Sequence, residues 1–161
     1  NVDGVVTVRA NASSDWSLTF NNIANQSVAK NASIYCRARL GSLTNAKAKI
    51  GFWVPLFTGT DYIAFVYDST VGANWRYVTA TTGGGVTSTD SGIAADTLWH
   101  EFSIEGWGGN SVVFYVDGTQ AGSYSSNLTA LNLMPVVQAT STTTTEKEVY
   151  VDFVELMGDR E

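Results

Sequence analysis

From Ser33 to Leu40 the chain alternates without a break. Ile34, Cys36, Ala38 and Leu40 take one side, and Tyr35, Arg37 and Arg39 take the other. A period of two is the period of a β-strand with one face in a core and one in water. Lys47 to Leu56 repeats it, with Ile50, Phe52 and Val54 on the apolar side and Lys47, Lys49 and Trp53 on the polar side. The turn-rich Gly41 to Asn45 lies between, so the two runs read as a hairpin.

The same signal recurs along the chain. Val2 to Val8, Trp16 to Phe20, Asp61 to Asp68, Trp75 to Thr81, Trp99 to Ile104, Ser111 to Val116, Gln120 to Ser123, Pro135 to Thr140 and Glu148 to Leu156 read as strands. Gly83-Gly84-Gly85 ends one of them, and Asp117-Gly118 suits a type I′ hairpin turn. About eleven or twelve short strands at regular spacing, with no helical segment longer than a turn, define an all-β sandwich or barrel in one domain over 1–161. Composition agrees. Charged residues are 15% of the chain, against about 25% in average domains, so Ser, Thr, Asn and Gly must solvate the surface. The run Thr140 to Thr145 reads as a solvated edge or loop.

Several function classes fall away. Nine Lys and Arg against fifteen Asp and Glu leave a net charge of −6, without the basic footprint of a nucleic-acid binder. No apolar run approaches the ~18 residues of a membrane span. Cys36 is the only cysteine and His100 the only histidine, which excludes an internal disulfide, a Cys cluster and a multi-His metal site. Cys36 belongs to the apolar stripe of its strand, and His100 is in step with Phe102 and Ile104; both read as core or half-buried residues. No cofactor is expected; calcium stays open, although no dense Asp/Asn loop stands out. The chain opens on Asn1 rather than Met, which suggests a processed or excised chain.

Trp99-His100-Glu101-Phe102-Ser103-Ile104-Glu105, followed by Val112-Val113-Phe114-Tyr115-Val116-Asp117-Gly118, resembles a strand pair of concanavalin A-like lectin/glucanase jelly rolls. Laminin G-like domains and the laminarinase group of glucanases share that pair. Ile50-Gly51-Phe52-Trp53, Tyr62-Ile63-Ala64-Phe65, Trp75-Arg76-Tyr77 and Val151 to Leu156 fit the same order, so the resemblance spans roughly residues 30 to 157. It implies a two-sheet antiparallel β-sandwich of the jelly-roll type. It looks most like modules of bacteriophage tail and surface proteins and of secreted sugar-binding proteins.

The chemistry departs from the resemblance. Retaining glucanases need two carboxylates about 5–5.5 Å apart, and the laminarinase group takes them from an E-x-D-x-x-E strand. No Glu in this chain is followed two residues later by Asp. Glu101 and Glu105 share a face with Ser103, but their Cα atoms lie about 13 Å apart. The expectation is therefore a protein that is not an enzyme: a non-catalytic carbohydrate- or receptor-binding module, extracellular or on a virion surface. A structural or assembly domain of a virion is the first alternative. A polysaccharide lyase or glycoside hydrolase with an atypical site is the second; a lyase needs a His or Tyr base beside Arg or Gln.

Aromatic rings that stack on sugars are expected at Trp53, Trp75, Tyr77 and Trp107. The expected hairpin also gathers Tyr35, Arg37, Arg39, Lys47, Lys49 and Trp53 on one face, including four of the nine cations. Two readings of that face stay open. One is a platform for an acidic glycan, with Arg holding carboxylates bidentately. The other is cross-strand pairing to Glu148 and Asp152. The candidate ligand set is Trp53, Trp75, Tyr77, Trp107, Tyr35, Arg37, Arg39 and Lys49, and the expected partner is a polysaccharide or surface glycan, with virion proteins or a second copy as alternatives.

Overall fold

The computed structural model describes residues 4–11, 15–19, 28–54 and 60–158, with the backbone alone for 15–19. The described residues form twelve strands: β1 (Val6–Ala10), β2 (Asp15–Thr19), β3 (Ser33–Leu40), β4 (Ala46–Trp53), β5 (Tyr62–Asp68), β6 (Asn74–Thr81), β7 (Gly85–Ala94), β8 (His100–Trp107), β9 (Ser111–Val116), β10 (Thr119–Tyr124), β11 (Met134–Ser141) and β12 (Lys147–Met157). One 3-10 turn, Val28–Lys30, accompanies them, and no described helix is long and apolar enough to cross a membrane. The strands form two six-stranded sheets. The first runs β1-β12-β3-β8-β9-β10 and the second β2-β11-β4-β5-β6-β7. All pairings are antiparallel.

The period-two stripes meet between the sheets. Ile34, Cys36, Ala38 and Leu40 of β3 face Ala46, Ala48, Ile50 and Phe52 of β4 across one buried core. An aromatic cluster fills its centre: Phe65 lies 5.3 Å from both Phe102 and Phe114, and Trp75 lies 4.7 Å from Phe102. Cys36 is buried there, and loss of water pushes its thiol up to about 12, which makes it a packing residue.

Three sequence expectations change. First, β3 and β4 are not a hairpin. β3 pairs β12 and β8, β4 pairs β11 and β5, and Gly41–Asn45 carries the chain from one sheet to the other. Both strands bury an apolar stripe, and stripes of two strands can meet face to face across a core as well as side by side. The outward residues therefore point away from each other, to opposite surfaces. Second, Trp75 is 2% exposed, not a surface ring. Its strand β6 carries apolar residues on both parities, since Val78 and Ala80 are buried as well, so alternation does not mark its outer side. Third, Gly83-Gly84-Gly85 ends β6 as expected, but a strand that alternation did not show follows it. Gly83 and Gly85 take φ of 88° and 73°, and the chain returns as β7. β7 is a polar edge strand, mostly exposed, so it has no apolar stripe to read. The Asp117-Gly118 turn is as expected, with φ of 50° and 73° joining β9 to β10.

Candidate functional site: a groove on the second sheet

The register of the second sheet builds a groove on its outer face. On β4, Lys47, Lys49 and Trp53 point outward. β11 sets Thr140 beside Lys47 and Gln138 beside Lys49, and β5 sets Asp68, Val66 and Tyr62 beside Lys47, Lys49 and Trp53. These side chains line a groove of about 490 Å³. Trp53 and Tyr62 form its aromatic wall, with ring centroids 5.5 Å apart. The Lys49 ammonium lies over both rings, 4.0 Å from Trp53 and 4.5 Å from Tyr62, a cation–π arrangement that fixes a positive charge against the wall. Gln138 sits buried at the floor. At the far end Lys47 Nζ lies 2.7 Å from Asp68 Oδ2.

Asp61, the residue before Tyr62, is 4% exposed. Its carboxylate accepts from the Thr82 amide at 2.7 Å and from the Thr82 and Thr129 hydroxyls at 2.6 Å. Burial alone would raise this carboxyl; the bonds from Thr129 and Thr82 more than offset that, and it titrates below its ordinary value. Asp68 behaves alike: burial raises it, and bonds from Lys47 and Thr70 bring it below the usual range. Loss of water holds the Tyr62 phenol above its ordinary value.

The expected ligand set divides between places. Trp53 and Lys49 meet in this groove. Tyr62, Gln138 and Asp68 join them; no sequence signal set these three apart, because strand pairing alone brings them together. Trp75 and Tyr77 do not reach the groove. Trp75 is core, and Tyr77 packs inward against Phe114 at 5.4 Å and Tyr124 at 5.1 Å. Gly122 leaves room for its ring, since a Cβ there would come within 2.2 Å of it.

Tyr35, Arg37 and Arg39 lie on the outer face of the first sheet. There the reading of cross-strand pairing holds for Arg37, which meets Asp152 at 2.8 Å. Glu148 is taken by Arg9 at 2.7 Å and by the Tyr150 hydroxyl. Arg39 stacks between Trp99 and Tyr150, 5.3 and 4.4 Å from their rings. Trp107 lies on this side as well, 58% exposed. His100 is half-buried at the end of β8, as expected. Its Nδ1 lies 2.6 Å from Asp117 and its Nε2 3.0 Å from Asp96. Burial lowers its affinity for a proton, the two carboxylates more than restore it, and it titrates above the usual histidine. Among the described residues no group of three or more His, Cys, Asp or Glu is arranged to hold a metal ion.

No family model matches the chain, and no curated protein matches it in sequence. Solved structures do. A Bacillus licheniformis β-glucanase aligns over 99% of this chain and 84% of its own, with TM-score 0.68 and 12% identity. A structure described with endo-acting O-glycanases of the human gut microbiota that initiate mucin breakdown covers 99% and 81%, with TM-score 0.71 and 13% identity. The fold is a two-sheet antiparallel jelly-roll β-sandwich. A pseudo β-1,3-glucanase of Mycobacterium tuberculosis shares it, at TM-score 0.68 and 12% identity over 97% of this chain and 75% of its own.

These neighbours overturn the expectation of a non-catalytic module that is not an enzyme. Solved proteins of this jelly-roll shape are named as glucanases, glycosyl hydrolases and O-glycanases, at 10–13% identity to this chain. The misreading came from treating one missing motif as a missing activity. Phage and lectin settings gain no support from the same neighbours.

Proposed function

We propose that the protein degrades a polysaccharide held in the Trp53–Tyr62 groove, and that it cuts an acidic chain by β-elimination. The observation that carries this is the cluster of Lys49, Tyr62 and Gln138 against an aromatic wall. Hydrolysis by a carboxylate pair needs two carboxyls, about 5–5.5 Å apart to retain configuration or about 6.5–9.5 Å apart to invert it. Among the described residues the groove holds one, Asp68, and it is tied to Lys47. Elimination makes other demands. A cation or amide must neutralise the uronate carboxylate, and a base must take the proton of the neighbouring carbon while an acid protonates the leaving oxygen as its C–O bond breaks. Lys49 and Gln138 fit the first demand. Tyr62 fits the second as a relay: its phenol, kept protonated by burial, gives its proton to the leaving oxygen while the same oxygen takes the proton released by the carbon, so the residue ends as it began. Trp53 offers the sugar ring a flat apolar surface. A polysaccharide substrate implies an extracellular setting.

The test is incubation with alginate, pectate and hyaluronan alongside neutral β-glucans, following both the ultraviolet absorbance of unsaturated uronates and the release of reducing ends. The expected result is absorbance with an acidic polymer that Tyr62→Phe lowers about a hundredfold. Reducing ends from a neutral glucan without absorbance would replace elimination by hydrolysis. No product from any polymer overturns the reading.

A further inference from the structure

The outer face of the first sheet carries a second groove, of about 480 Å³, that the reaction above does not use. Tyr35, Glu105 and Trp107 line it, with Asn31, Ser33 and Met157 at its margins. Glu105 and Trp107 are two apart on β8 and share its outer side. β3 sets Ser33 beside Glu105 and Tyr35 beside Ser103.

The groove is built, not accidental. Tyr35 Oη donates to Glu105 Oε1 at 2.7 Å, which fixes that carboxylate at the groove wall. The segment bearing Trp107 is pinned on both sides. The Gly106 amide donates to Ala32 O at 3.0 Å, and the Gly108 amide donates to Asn31 Oδ1 at 2.6 Å. Asn31 itself sits at φ 49°, a conformation that asparagine tolerates and most residues resist. The result is an indole 58% exposed to water on an immobilised backbone, beside a held carboxylate. A large ring left in water on a rigid support is ready to bury its face against a ligand, with little ordering still to be done.

We propose that this groove is a second saccharide site, for an uncharged sugar, with Trp107 stacking on the ring and Glu105 accepting from its hydroxyls. Charge sets the ligand class. Among the described residues the lining holds a carboxylate and no Lys, Arg or His, so a uronate would meet repulsion where a neutral sugar meets an acceptor. Glu155 adds negative charge near Tyr35. The site stands independently of the Trp53 groove and of any reaction there.

The test is an NMR titration of the folded protein with neutral gluco-, galacto- and manno-oligosaccharides and with uronate oligosaccharides, reading the Trp107 indole N–H, assigned with Trp107→Phe, together with the backbone amides of Gly106 and Gly108, which line the groove and remain as reporters in every variant. The expected result is a saturable shift with a neutral sugar at millimolar concentration. Trp107→Ala weakens it about tenfold or more, Glu105→Gln weakens it several-fold, and Trp53→Ala leaves it unchanged. Thermal unfolding of each variant confirms that it is folded. No shift with any neutral sugar overturns the proposal, and so does binding that survives Trp107→Ala. A stronger response to uronates than to neutral sugars overturns the ligand class. Bond cleavage is not read in this titration, so its outcome is separate from that of the elimination assay.

Discussion

The two outer faces of the sandwich use the same kinds of residue to different ends. On the first sheet cations are matched to carboxylates or packed between rings: Arg37 meets Asp152, Arg9 meets Glu146 and Glu148, and Arg39 lies between Trp99 and Tyr150. On the second sheet Lys49 is set over an aromatic pair that walls an open groove. The difference teaches that a count of cations and aromatics in a sequence says little about a site. Which strand lies alongside decides whether a cation meets an acid, a ring or a ligand.

The widest test of the comparison sets a core ring against a groove ring. Trp75→Ala removes a side chain packed on Tyr67 and Phe102, and should cost about 3–5 kcal/mol of unfolding free energy. Trp53→Ala should cost about 1 kcal/mol or less, in denaturant unfolding with unchanged slope. Equal losses would mean that Trp53 is structural and that the groove face is not distinct.

Next comes the proton donor. Tyr62→Phe should lower product formation about a hundredfold, equivalent to about 2.7 kcal/mol of barrier, without shifting the unfolding midpoint. Arg39→Ala, on the opposite face, should leave the rate unchanged. A rate loss in Arg39→Ala would break the division of labour between the faces.

Asp61→Asn should then cost about 2 kcal/mol, because the three donors from Thr82 and Thr129 lose a charged acceptor. The native carboxyl titrates below its unfolded value. Its contribution is therefore present above pH 3.8 and lost as the pH falls through the lower native value. His100 has the opposite sign. Its native affinity for a proton is raised, so the link to Asp96 and Asp117 stabilises fully below pH 6.5 and fades as the pH rises through the native value. Unfolding midpoints across pH, compared between the protein and His100→Gln, check this: the two curves should converge on the alkaline side.

The smallest effect is expected at Arg37→Ala. Its pair with Asp152 is half open to water, so the cost should stay below about 1 kcal/mol and shrink further in salt. A larger loss would mean that this face is more than a solvated surface.

Much of the fold was legible because burial writes itself into alternation. The stripes Ile34-Cys36-Ala38-Leu40 and Ile50-Phe52-Val54 lie in the core, and Asp117-Gly118 makes its turn. β7 was not legible, because an exposed edge strand has no inner stripe. The parity of β6 was not legible either, because Val78 and Ala80 are buried opposite Trp75. Of the candidate ligand residues, Trp53 and Lys49 share the groove on the second sheet, and Tyr35 and Trp107 share the groove on the first. Arg37 and Arg39 have local partners, while Trp75 and Tyr77 face inward.

By itself the sequence determined that this chain makes strands, which side of most strands is apolar, and that a carboxylate motif of the glucanase type is absent. Those are properties of neighbours one or two residues apart, and backbone geometry reads them directly. The tertiary structure alone decided that β3 and β4 belong to opposite sheets, that Tyr62 and Gln138 stand beside Lys49, and that Glu105 and Trp107 share a groove with Tyr35. Such contacts join residues far apart in the chain. They follow from which stripes pack across the core and which edges pair, and a period of two is silent about both.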